Sequence, residues 1–157
     1  MANHSKQLTQ IKAKIELCAT EEGNKLENLL GDNLTKNFET QQIILNVIIH
    51  ASDVSNPAKP NAVYTQWVDL VFKEFFNQGD IEKAKKLPVS MLCDRDTTNI
   101  SKSQIGFISF VVRPTFESLV VLIPEIKFYI ENINQNCKYY ESIVKKEEEK
   151  SKELKEK

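Results

Sequence analysis

The sequence predicts an all-α fold, a compact multi-helix array. Glycine (4) and proline (5) are sparse in 157 residues, and apolar residues recur near every 3.6 positions. Alternating apolar and polar runs of strand length are hard to find.

The elements follow in chain order. Leu8, Ile11, Ile15 and Cys18 share one face of a first amphipathic helix over residues 5–18. "EEGNKLENLLGDN" reads as a glycine-punctuated loop with a helical turn around Leu26 to Leu30. Thr40 to Asp53 forms a second helix, expected to be largely buried because its apolar residues cover more than one face. Pro57 and Pro60 bound it. A third helix runs from Asn61, a candidate cap, to Gln78, with Gly79 as its stop. Its stripe is Tyr64, Trp67, Val71 and Phe75, flanked by Phe72 and Phe76, and a short helix restarts at Asp80. "PVSMLCDRDTTN" is a connector, in which Asp94 and Asp96 flank Arg95 as a local ion-pair cluster. A fourth helix spans Asn99 to Leu122 and carries Pro114, which should kink it by removing one backbone donor. Pro124 starts a last helix through Ile126, Ile130, Ile133 and Cys137. Residues 141–157 mix both charge signs and read as a solvated helical or disordered tail.

Composition narrows the function classes. A net charge of -1 supplies no basic field for nucleic acid or an anionic membrane. No run of eighteen apolar residues is uninterrupted, so no membrane span is expected. Cys18, Cys93 and Cys137 lack CxxC spacing and point to reduced thiols. With no apolar signal region in "MANHSKQLTQ", the expected setting is cytoplasmic. Two histidines, His4 and His50, are too few for a multi-histidine metal site.

Spacing singles out two pairs. Asp53 and Asn56 lie three residues apart at a helix end, and Gln104 and Phe107 share that relation within "SQIGF". Gly106 removes bulk beside the second pair. An amide beside an aromatic ring suits a flat heteroaromatic base, offering one donor, one acceptor and a stacking surface. Plain structural roles serve the same residues: an interfacial amide beside a core aromatic, a core stripe at Tyr64/Trp67/Val71/Phe75, a core His50, and an Asp53 that caps the turn at "DVSNP". Asp53 ends an apolar run, where a buried carboxylate needs a partner. Spacing alone leaves both sets open.

Order and wording decide more. "SDVSNP", "QWVDLVFKEFFNQGD", "SMLCDR" and "SQIGF", taken from His50 to Leu119, resemble the C-terminal half of the catalytic domain of class I 3′,5′-cyclic-nucleotide phosphodiesterases. A weaker likeness begins at "MANHSKQLTQIK", similar to the family's T-D-M-x-x-H segment entered at its methionine. The resemblance implies an all-helical domain over residues 1–140 that hydrolyses cyclic AMP or cyclic GMP to the 5′-monophosphate. It also implies two divalent ions, zinc and magnesium or manganese. Gln104 would read the purine and Phe107 stack on it. Val71 and Leu92 would line the opposite wall, with Asn56, Tyr64 and Trp67 in the pocket and its support. Gln66 precedes Trp67 as in many members, and Asp53 would be a metal ligand.

One departure is large. The family's H-N-x-x-H region and later H-D pair, which bring the remaining metal ligands and the acid for the leaving O3′, do not occur in this sequence. The expectation is a catalytic-domain fragment, inactive alone, with apolar surface near Ile44, Ile48, Val71 and Phe75 left for self-association or pairing. The alternatives are a non-catalytic relic that binds nucleotide weakly or joins a full-length enzyme, and a plain helical interaction module.

Overall fold

The computed structural model describes Ala13 and residues 38–154. Apart from Ala13, the expected helix over residues 5–18 and the turn around Leu26 to Leu30 lie outside the described residues. Four helices follow: α1 (Phe38–Asp53), α2 (Asn61–Ala84), α3 (Ile100–Leu122) and α4 (Phe128–Glu153). Two 3₁₀ turns, Asn56–Ala58 and Pro124–Lys127, open α2 and α4, and no strand occurs among the described residues.

Each helix contributes one stripe to a shared core. Ile44, Val47 and Ala51 come from α1, and Tyr64, Val68 and Phe72 from α2. Ile108, Val112, Phe116, Leu119 and Leu122 come from α3, and Ile133, Cys137 and Tyr140 from α4. α4 lies along the first half of α3 and over the Asn56–Ala58 turn, whereas α1 packs on the second half of α3. α3 is long and apolar enough by composition to cross a membrane; here five of its apolar residues build this core, while Phe110 and Val121 are exposed.

Several expectations change. α1 buries only one face: Leu45, Ile48 and Ile49 are exposed, Ile49 by 67%. An apolar run covering two faces says nothing of how many faces find a partner. Ile44 is buried, and Val71 and Phe75 are partly buried, so the exposed apolar strip on this helix is Leu45–Ile48–Ile49.

Gly79 does not stop α2, which continues without interruption to Ala84. A Cβ there would overlap the Cys93 carbonyl, so the glycine lets the connector cross close against the helix. Asn61 makes no cap bond and reaches α4 instead, its Nδ2 donating to Asn136 Oδ1 (3.0 Å).

The ion pairs around Arg95 run back to α2 and not along the connector. Lys83 Nζ meets Asp94 (2.6 Å) and Asp96 (2.8 Å), while Arg95 grips Asp80 with two nitrogens and lies over the Phe76 ring. The Lys83 ammonium holds the Asp94 carboxyl below its ordinary range, and the Arg95 guanidinium does the same to Asp80. All but the half-buried Asp94 are exposed, so solvent and salt screen their contribution.

In α3 the Asn99 side chain caps the helix by accepting from Lys102 N–H (2.8 Å). The strain of Pro114 is taken up by a π-helical turn, Ile108–Val112, just before it.

Candidate purine slot between helices α2 and α3

A cleft of about 300 Å³ opens between α2 and the start of α3, within the range of small-molecule sites. It is lined by Asn56, Tyr64, Trp67, Val71, Leu92, Gln104 and Phe107, the seven residues singled out in the sequence for a base pocket. Val68, Phe72, Phe75 and Ser103 complete it. The helical period explains the assembly. Tyr64, Trp67, Val68, Val71, Phe72 and Phe75 recur at three- and four-residue steps and cover one face of α2. Gln104 and Phe107, one turn apart on α3, form the facing wall. Val68, Phe72 and Phe75 were legible only as core neighbours of that stripe, and Ser103 carried no signal beyond standing before Gln104.

Burial grades the slot from floor to mouth. Tyr64 is buried at the bottom, Gln104 is only 9% exposed, and Trp67 stands at the rim with 45% exposed. Leu92 arrives from the connector with a positive φ of 69°, a backbone state costly for a leucine. The close crossing at Gly79 and the Lys83 and Arg95 pairs hold the chain just after it, and Ser90, bonded to Glu82, holds it before.

Besides Asn56 and Ser103, the polar element is one hydrogen-bonded pair. The Tyr64 hydroxyl donates to Gln104 Oε1 inside the apolar cleft. Burial, with smaller contributions from Tyr140 and Cys137, pushes the Tyr64 phenol well above its ordinary value, so it remains a neutral donor. Held in this way, Gln104 keeps its N–H donors and one oxygen lone pair for a ligand. Gly106 proves unnecessary for space, since a Cβ there would meet nothing within 4 Å.

Asp53 lies apart. It is the last residue of α1, it is exposed, and it does not line the cleft. The expected burial is therefore overturned: Asp53 lies on the solvent side of α1, while Ala51 in the same turn is in the core. Nor does Asp53 cap the following turn, which is closed by backbone bonds from Val54 N–H to His50 O (3.0 Å) and Ser55 N–H to Ser52 O (3.3 Å). A carboxylate at the negative end of a helix is unfavourably placed unless a cation joins it.

With this geometry in place, comparison with known proteins decides the family. The profile of the 3′5′-cyclic nucleotide phosphodiesterase family matches residues 1–133. The chain belongs to that family.

Among its relatives, the rat 3′,5′-cyclic-AMP phosphodiesterase 4C is 34% identical over 145 residues, 92% of this chain and 26% of the relative. Isoform F of the 3′,5′-cyclic-AMP phosphodiesterase of Drosophila melanogaster is also 34% identical over 92% of this chain, but only 21% of its own length. The chain thus spans about a quarter of these curated relatives. The phosphodiesterase domain of Salpingoeca rosetta rhodopsin phosphodiesterase superposes with a TM-score of 0.79 and 28% identity, covering 98% of this chain and 44% of that one. LmjPDEB1, solved in complex with IBMX, gives 0.72 and 28% over 92% of this chain and 40% of that one.

Phosphodiesterases of this family use divalent metal ions, and the donor set here does not fit a complete centre. No group of three or more His, Cys, Asp or Glu residues able to hold an ion occurs among the described residues. Asp53 offers one carboxylate, and no second and third donor are grouped with it among the described residues.

Proposed function

We propose that this chain forms the purine-binding part of a 3′,5′-cyclic-nucleotide phosphodiesterase catalytic domain, the complete domain hydrolysing cyclic nucleotide to the 5′-monophosphate. The observation that carries the reading is Gln104, its amide fixed by Tyr64 in an apolar slot with Phe107 one turn away. Phe107 supplies the stacking face, and Val71 and Leu92 the opposite wall.

The held amide favours adenine. The adenine edge presents an acceptor, N1, beside the N6 donor. Gln104 Nε2 donates to the first, and Oε1, which keeps a lone pair beyond the Tyr64 bond, accepts from the second. Guanine presents the reverse pattern and needs the amide flipped. The cyclic-AMP names of the relatives agree with this preference.

The cofactors of the complete domain are zinc with magnesium or manganese, and Asp53 is one ligand among several. The 157-residue chain by itself binds cyclic nucleotide without turning it over. Isothermal titration with cyclic AMP, paired with an assay for 5′-AMP, tests this: saturable binding lost in Gln104→Ala, with no product, is the expected result. Metal-dependent hydrolysis by the purified chain contradicts it.

A second reading, a non-catalytic partner of itself or of a full-length enzyme, is favoured by the exposed Leu45–Ile48–Ile49 strip. Sedimentation of the chain should show association that Ile49→Lys reduces. A cooperative monomer at all concentrations removes this reading.

A further inference from the structure

Asn56 reaches the slot from a 3₁₀ turn of three residues, too short to hold its own place. Its side chain makes no hydrogen bond among the described residues, so the turn's backbone alone sets where it stands. That backbone is gripped from α4. Asn136 Nδ2 donates to Pro57 O and to Lys59 O, both at 2.8 Å, and Asn132 Nδ2 donates to Ala58 O at 2.9 Å. Three successive carbonyls are thus held by two amides 74 to 79 residues further along the chain.

We propose that Asn136 is a positioning residue for the slot, fixing Asn56 through the backbone of its turn; this rests on the purine-slot reading. Asn136 is fully buried, and an apolar side chain of similar size would fill its volume as well. What such a side chain would leave is two carbonyls of a buried turn without donors, a cost of about 1–3 kcal/mol for each buried group. The amide oxygen of Asn136 is used too, accepting from Asn61 at the first position of α2. One side chain therefore ties the turn that carries Asn56 to the start of the helix that carries Tyr64. Pro57, lacking an N–H, leaves the turn fewer bonds of its own and makes the outside donors more important.

The test uses the whole chain, wild type, Asn136→Asp and Asn132→Ala. The aspartate is nearly isosteric but presents oxygens to the carbonyls, and Asn132→Ala keeps Asn136 and its bonds if the first variant fails to fold. Hydrogen exchange by NMR follows Ser55, Ala58 and Lys59 together with the core amides of α3, and the Asn56 side-chain amide signal reports its position. Titration with cyclic AMP is run in parallel.

Turn exchange should speed by about tenfold in Asn132→Ala, the equivalent of one lost hydrogen bond, and by more in Asn136→Asp, which loses two. α3 should stay protected, the Asn56 signal should move, and cyclic AMP affinity should fall. Wild-type exchange in the turn of both variants overturns the proposal, and so does a loosened turn with unchanged affinity. If the turn loosens and the Asn56 signal moves but the wild-type chain binds no cyclic AMP, the purine reading fails while the positioning of Asn56 by Asn136 stands.

Discussion

The Tyr64 hydroxyl donates to the Gln104 amide oxygen, joining two residues 40 apart in sequence in the floor of an apolar cleft. In this arrangement the amide nitrogen is the end left to donate to a ligand. Removing the bond in Tyr64→Phe should narrow the preference for cyclic AMP over cyclic GMP by roughly tenfold, the worth of one buried hydrogen bond. Paired titrations with the two nucleotides measure it, and an unchanged ratio means that Tyr64 does not set the amide.

Glycine 79 and glycine 106 should respond oppositely to alanine. At Gly79 the new methyl overlaps the Cys93 carbonyl, so helix or connector must move, at about 1–3 kcal/mol. At Gly106 the methyl meets nothing, and helix propensity should add about 0.5–1 kcal/mol of stability. Urea unfolding of both variants reads the two signs. Because Leu92 precedes Cys93, Gly79→Ala should also weaken nucleotide binding, while Gly106→Ala should not.

Asp53 should cost the isolated chain stability. It is an exposed carboxylate at the C-terminal end of α1, so Asp53→Asn should stabilise by about 0.5 kcal/mol at low salt. Thermal melts at two ionic strengths check this, with the gain shrinking as salt rises. A loss of stability on substitution would show an unrecognised structural partner.

The sequence showed the helices where one face is periodic and the ends are marked. α3 begins and ends within one residue of its expected bounds, since Asn99 caps it and Pro124 follows it. Where the deciding contact is remote, local pattern misleads. Gly79 looks like a stop until Cys93, fourteen residues later, crosses against it. Asn61 looks like a cap until Asn136 claims it.

The site shows the same division. Spacing paired Gln104 with Phe107 but left a core amide as good an account. The likeness of ordered segments, not periodicity, selected the seven lining residues. Asn132 and Asn136 gave no signal, because their importance lies in carbonyls of a turn more than seventy residues earlier. The exposure of Asp53 was hidden for a related reason: an apolar run that wraps α1 does not say which face of the helix is covered.

The central claim is that the cleft holds a purine through Gln104 while the described residues form no complete metal centre. Titration of cyclic AMP into the purified chain, with and without divalent ions and with Gln104→Ala as control, tests it most directly. Saturable binding that depends on Gln104, without release of 5′-AMP in any metal, is the predicted result. Absence of binding, or binding indifferent to Gln104, contradicts the purine slot, and metal-dependent release of 5′-AMP contradicts the incomplete centre.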